Sequence, residues 1–183
     1  MPDARANDIK NALGKLVLAG LVYRVHASSA AGLPLSALIN DKKFKTLFID
    51  IGLLMRAGEL PLKMLMEESL DLVHQGALME QLVGQELLAY QDPTLDHALY
   101  FWSREEKSST AEVDYLITVG QHIVPLEVKS KSAGHLKSLH LLMQEKSLPL
   151  GVKISQAPLS KTGNLLSVPA YLLAELPRLC LMV

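Results

Sequence analysis

Ala111–Ser130, AEVDYLITVGQHIVPLEVKS, decides how this chain is read. Two runs rich in β-branched and aromatic residues flank Gly120-Gln121, a Gly-X pair suited to a two-residue type II′ hairpin turn. A turn there fixes the register: Val119 faces His122, Ile117 faces Val124, Tyr115 faces Leu126 and Val113 faces Val128, giving a consistent apolar face. The other face then sets Asp114 against Glu127 and Glu112 against Lys129, with Lys129 two residues beyond Glu127. Like charges directly opposed on a sheet are destabilising. Something must hold Asp114 and Glu127 together, and a divalent cation is the natural candidate.

Outward from the hairpin, further elements follow on both sides. Ala98 to Ser103 reads as a strand and Arg104 to Thr110 as a polar loop. Gly134 to Ser147 reads as a helix, and Leu150 to Ser155 and Leu165 to Val168 as strands. Pro169 stands at a first helical position and opens a last helix through Leu176. Upstream, Asn7 to Gly20 is a helix with Ile9, Leu13, Leu16 and Val17 on one side, ended by Gly20 as C-cap. Leu21 to His26 is a short strand, Ala27 to Asp41 a mobile connection, and Phe44 to Asp50 a second strand. Ile51 to Ala57 is a helix closed by Gly58, and Pro61 to Glu68 is helical by composition.

Ser69 to Tyr90 is the longest expected helix. On a wheel of about 100° per residue, the half centred on Glu80 holds Leu70, Leu72, Val73, Ala77, Val83, Leu87 and Leu88. Glu80 is the one charged residue on that apolar half. Burying a carboxylate without a partner is costly, so Glu80 should face a cation, a metal or a hydrogen-bond network. Glu86 falls on the solvated side.

Asp114, Glu127 and Lys129 follow the pattern D-x12-E-x-K. Two carboxylates on adjacent strands suit Mg²⁺ or Mn²⁺, and Mg²⁺ takes hard oxygen ligands and keeps several waters. Such an ion polarises a phosphodiester and acidifies a bound water, while a neighbouring Lys orients that water or offsets developing charge. The plainer alternative is a surface ion network of Glu112, Lys129 and Glu127, with Asp114 merely opening a strand. Lys129, Lys131, His135 and Lys137 form a modest basic cluster beside this face, suited to phosphate contact. Lys42, Lys43 and Lys45 form a second one, read as ordinary solvated charge. Phe101 and Trp102 belong to the core rather than to a base-stacking platform.

The order α-β-β-β-α-β from Ser69, with a helix Glu, an Asp and Glu-x-Lys, resembles the PD-(D/E)xK nuclease superfamily, the restriction-endonuclease-like fold. More narrowly, the chain resembles the domain of unknown function at the C-terminus of bacterial and archaeal AAA-type ATPases. The stretches that carry the likeness are FKTLFIDIGLL (Phe44 to Leu54), GALMEQLVGQELLAY (Gly76 to Tyr90), LYFWS (Leu99 to Ser103), EVDYLI (Glu112 to Ile117) and PLEVKS (Pro125 to Ser130). The resemblance implies that Asp114 and Glu127 hold metal, that Lys129 is catalytic with them, and that Glu80 is the helix acid completing the shell. Val113 stands where the superfamily's name has proline. No G-x-x-x-x-G-K-[ST] occurs, so ATP hydrolysis by a P-loop is excluded.

Composition bounds the rest. The chain has 183 residues, 49% hydrophobic, with a net charge of −1. That is enough for a real core and too balanced to attract polyanions globally. Tight non-specific duplex binding by a monomer is therefore disfavoured, and a protein partner or a homodimer would supply the remaining surface. The single Cys180 excludes an intrachain disulfide and fits a reducing compartment. The six histidines show no HExxH spacing and no CxxC occurs, which leaves no zinc motif. No apolar run reaches the ~18 residues of a membrane span, and the polar start MPDARANDIKN lacks a signal peptide's apolar core. The expectation is a cytoplasmic α/β protein with a mixed sheet flanked by helices. Residues 1–60 would be a helical, winged-helix-like piece, and residues 61–183 a nuclease-like domain. Its function would be Mg²⁺-dependent cleavage of DNA or another nucleic acid. The alternative is a catalytically silent regulatory domain, derived from an ATPase C-terminus, that binds nucleic acid or protein.

Overall fold

A computed structural model describes residues 6–59, 72–94, 98–104, 111–130 and 135–182. The helix expected at 61–68, most of the loop at 104–110, and Lys131 lie outside these residues. The described elements run α1 (Ala6–Leu18), β1 (Val22–Ser28), a 3-10 turn (Leu35–Leu38), β2 (Ile39–Phe48), α2 (Ile51–Ala57) and α3 (Leu72–Ala89). They continue with β3 (Leu99–Ser103), β4 (Glu112–Val119), β5 (His122–Val128), α4 (Lys137–Glu145), β6 (Gly151–Ser155), β7 (Ser160–Thr162) and β8 (Leu165–Pro169). A 3-10 segment (Ala170–Glu175) and α5 (Leu176–Leu181) close the chain. The order from α3 to β6 is the expected α-β-β-β-α-β.

The described strands form one eight-stranded mixed sheet in the order β2-β1-β3-β4-β5-β6-β8-β7. Hairpin and meander neighbours pair antiparallel, whereas β1–β3, β5–β6 and β6–β8 are parallel. A parallel pair needs a crossover, and α4 supplies it between β5 and β6. Two apolar layers sandwich the sheet. On one side Val83, Leu87 and Leu88 of α3 pack with Leu173 and Leu176 against Val25, Phe101, Leu126 and Val152. On the other, Leu139, Leu142 and Met143 of α4 pack against Trp102, Val113, Leu116 and Ile123. Phe101 and Trp102 are core residues, as their strand position implied.

Several expectations need correction. The stretch expected to be a mobile connection, Ala27 to Asp41, carries the end of β1, a 3-10 turn and the start of β2. A bulge in the β1–β2 ladder between His26 and Ala27 hides that continuity from a simple alternation pattern. β7, three exposed residues, has no periodicity to announce it. The last helix is displaced: Pro169 ends β8, a 3-10 segment follows, and α5 begins only at Leu176. β1 and β2, from the first sixty residues, are strands of the same sheet as β3 to β8.

The turn residues of the hairpin behave as their chemistry requires. Gly120 takes φ +60°, and Gln121 keeps a negative φ, the type II′ pattern. The observed pairs Val119–His122, Ile117–Val124 and Tyr115–Leu126 are those the turn implied. The expectation fails at Val113. β3 pairs Tyr100 with Leu116 but Trp102 with Val113, so β4 holds one extra residue between those pairs. Val113 therefore joins Leu116 in the α4-side layer, while Tyr115 stays in the α3-side layer. The bulge falls on Asp114 and Tyr115.

Candidate functional site

The bulge is what builds the site. It lets the neighbouring side chains of Asp114 and Tyr115 both reach toward α3, where strict alternation would part them. The Tyr115 hydroxyl donates to the Glu80 carbonyl at 2.8 Å. It can approach because Gly84 carries no side chain; a Cβ there would collide with the Tyr115 hydroxyl and lie 2.9 Å from Leu47 Cδ1. Asp114 turns its Oδ2 to the backbone N–H of Val128 at 2.7 Å, at the open end of the hairpin. Its Oδ1 lies 4.0 Å from Lys45 Nζ.

Lys45 was missed in sequence as a site residue. It comes from the edge strand β2, passes over the Phe101 ring at 5.0 Å, and bridges Glu80 at 2.8 Å and Glu112 at 2.7 Å. Glu80 does face a cation, as its place on an apolar helix half required. The cation is a lysine supplied from far away in sequence. Glu112, expected beside Lys129, is taken by Lys45 instead, while the Lys129–Glu127 pair forms at 2.6 Å. Lys45 belongs to the triad of lysines read as solvated surface charge, and for Lys45 that reading is corrected.

A second missed pair locks β2 in place. Gln81 grips Phe48 with both ends of its amide, accepting from the backbone N–H at 3.0 Å and donating to the carbonyl at 2.7 Å. Gln85 accepts from Ile51 N–H at 3.0 Å. Asp50 caps α2 through Gly52 N–H at 2.7 Å. The stretches 44–54 and 76–90 are thus one hydrogen-bonded unit, and it holds Lys45 opposite Glu80. The signal was available: two glutamines at i and i+4 lie on one stripe of a helix.

The electrostatics show an unbalanced cluster. Among the described residues, four carboxylates (Glu80, Glu112, Asp114, Glu127) meet two ammonium groups (Lys45, Lys129). Glu127 is only 7% exposed, and its Oε2 is buried without a hydrogen-bond partner among the described residues. Burial, then the charges of Glu127 and Glu80, push the Asp114 carboxyl up to about 7, against the pull of Val128 N–H and Lys45. Burial likewise raises Glu127, although Lys129 draws it back. For Lys45 burial pulls downward, but Glu80 and Glu112 outweigh it and hold its ammonium above the usual range. Asp114 and Glu127 would both be better served by more positive charge.

Among the described residues, no group of three or more His, Cys, Asp or Glu side chains is arranged to hold a metal ion. Glu80 is drawn off by Lys45, so the expected three-carboxylate shell is not assembled as it stands. Asp114 and Glu127 remain as a two-carboxylate set of hard oxygens with one unpartnered oxygen, which fits a dication that keeps most of its waters. A cleft of about 180 Å³ is lined in part by Lys45, Glu80, Gln81 and Tyr115, and neither Asp114 nor Glu127 lines it. A larger apolar hollow of about 450 Å³ lies elsewhere, among Leu87, Tyr90, Tyr100 and Leu173, and touches none of these groups. His135 and Lys137 are exposed at the start of α4, and His140 is exposed on it. No described helix is long and apolar enough to cross a membrane.

Fold and cluster together define a mixed α/β protein with lysine-bridged carboxylates at the open end of its central hairpin. A family model described as "Domain of unknown function (DUF4143)" matches residues 75–171, and the chain belongs to that family. The matched span includes Glu80, Glu112, Asp114, Glu127 and Lys129; Lys45 lies before it. No curated protein and no solved structure matches the chain.

Proposed function

We propose that the chain is a restriction-endonuclease-like, PD-(D/E)xK-type domain that cleaves DNA or another nucleic acid with Mg²⁺ or Mn²⁺. The observation that carries this reading is buried Glu127 beside half-buried Asp114: two carboxylates raised by burial, one oxygen without a partner among the described residues, and Lys129 2.6 Å from Glu127. The resemblance of the stretches from Gly76 to Ser130 to that superfamily, and to the C-terminal domain of AAA-type ATPases, supports it.

In this reading Asp114 and Glu127 hold the ion, and Val128 N–H fixes the Asp114 carboxylate by taking Oδ2. A bound dication supplies Lewis-acid polarisation of the scissile phosphodiester and a more acidic water. Lys129 holds its ammonium beside Glu127, where it orients the attacking water and offsets charge developing on the phosphate. Glu80 supports the cluster from α3, its carbonyl pinned by Tyr115. Exposed Lys137 on α4 and exposed His135 just before it would meet phosphates, and Lys131 completes that group in sequence. A protein partner or a second copy would add the basic surface that a chain of net charge −1 lacks.

The test is cleavage. Wild type and Glu127→Ala are incubated with mixed duplex, branched and single-stranded substrates in Mg²⁺ or Mn²⁺. The reading expects cutting by the wild type and loss of at least a hundredfold in the variant. No cutting of any substrate in either metal would refute it. A second reading, a silent domain that binds nucleic acid or protein, draws on one observation: Lys45 and Lys129 already neutralise part of the cluster. It expects retention of nucleic acid or a protein partner without turnover.

A further inference from the structure

We propose that Lys45 is a built-in competitor for the cation: its ammonium, held by Glu80 and Glu112 close to Asp114, opposes a divalent ion at Asp114 and Glu127. The inference rests on the reading of Asp114 and Glu127 as a cation site.

Its geometry is that of a tethered counter-ion. β2 is the edge strand, separated from β4 by β1 and β3, yet Lys45 reaches across the Phe101 ring to the cluster. An ammonium has three donors. Two are spent on Glu80 at 2.8 Å and Glu112 at 2.7 Å, and Asp114 Oδ1 stands at 4.0 Å, within charge contact but beyond a hydrogen bond. Asp114's other oxygen is already committed to Val128. A dication drawn to Asp114 therefore meets a positive charge a few ångströms away, and the two repel.

An independent observation says that the lysine does not satisfy the cluster. Glu127 is more than nine-tenths buried, and its Oε2 has no partner among the described residues although Lys129 binds Oε1. Lys45 thus neutralises the Glu80–Glu112 side of the cluster and leaves the Glu127 side short of positive charge. An ion that enters on the Glu127 side relieves that shortage and pushes against Lys45. The cleft lined by Lys45 and Glu80 gives the released ammonium a path to water. By linkage, whatever Lys45's engagement costs the ion, the ion costs Lys45's engagement. Lys45 is a positioning residue here: it sets the affinity of the site and the freedom of Glu80.

The test uses the full chain and Mn²⁺ alone. Calorimetric titration of wild type and Lys45→Met is expected to show at least tenfold tighter binding in the variant. A second measurement uses the wild type, in case Lys45→Met does not fold. Acylation of amines by an N-hydroxysuccinimide ester, read by peptide mass spectrometry, should rise severalfold at Lys45 when Mn²⁺ saturates. It should stay constant at exposed Lys137 and lose its Mn²⁺ response in Glu127→Gln. Binding of Mn²⁺ by the wild type with no change in Lys45 acylation overturns the competitor and leaves the cation site standing. Equal or weaker binding by folded Lys45→Met does the same. No Mn²⁺ binding by either protein at millimolar concentration overturns the cation site and the competitor with it.

Discussion

At the scale of single residues, Asp114 is where environment and chemistry meet. Its carboxyl is raised from 3.8 to about 7, first by burial and then by Glu127. Between those values the native state binds a proton that the unfolded chain has released, so this group makes stability fall as pH rises. At one pKa unit per 1.36 kcal/mol, the fall amounts to a few kcal/mol. Glu127 is raised too and acts in the same direction. Urea denaturation of wild type and Asp114→Asn at a series of pH values checks it. The wild type should lose ground to the variant from about pH 4 to about pH 7, and equal pH dependence would contradict the account. Lys45 acts with the same sign in a higher pH window. Its raised value adds stability that is present below its unfolded value and is lost only as pH climbs through the folded one.

Residue type alone pointed to much of this cluster. Asp114, Glu127, Lys129 and Glu80 stand out because each is charged on a stretch that otherwise reads as strand or apolar helix. Lys45 did not, because it sits 35 positions from Glu80 on an edge strand, where a lysine is ordinarily a guard against pairing. Its role depends on a side chain crossing two neighbouring strands, which no local pattern encodes.

At the scale of elements, turn chemistry carried the hairpin and missed the bulge. Gly120 set the turn and with it the pairs up to Tyr115–Leu126. The extra residue in β4 arises in pairing with β3, a strand whose partner the hairpin does not name. α3 shows a similar division. Its apolar periodicity was legible, but the use of Gln81 to clamp Phe48 was not, since a glutamine reads as surface until its partner is known. Two predictions belong here. Gly84→Ala gains about 1 kcal/mol of helix propensity but drives a methyl into the Tyr115 hydroxyl. Overpacking of that kind costs about 1–3 kcal/mol, so the expected outcome in urea melts is net destabilisation; a more stable variant would contradict the close approach. Gln81→Leu leaves the Phe48 backbone groups without their side-chain partner, at about 1–3 kcal/mol. Hydrogen exchange should quicken at Phe48 and along β2 more than in β5 or β6, and uniform quickening would speak against the clamp.

At the scale of the whole molecule, the eight-stranded sheet explains why the first sixty residues matter to the cluster. β1 and β2 extend the sheet beside β3, and that extension delivers Lys45. The mixed sheet and its α-β-β-β-α-β succession followed from periodicity and turn residues. The joining of the N-terminal strands to the same sheet did not, because strand neighbours distant in sequence leave no local trace. If the cluster holds a dication only when folded, the ion stabilises the chain by mass action. Thermal melts above the pKa of Asp114 should shift upward with millimolar Mg²⁺ in the wild type and remain in place in Glu127→Gln. An equal shift in both would mean that the ion binds elsewhere.

The most direct measurement is calorimetric titration of Mn²⁺ into wild type and Glu127→Gln at a pH above 7, where Asp114 is ionised. The account predicts one saturable site in the wild type and its loss, or weakening by at least tenfold, in the variant. Undiminished binding in Glu127→Gln, or no binding by the wild type at millimolar metal, would contradict a cation site built on the Asp114–Glu127 pair.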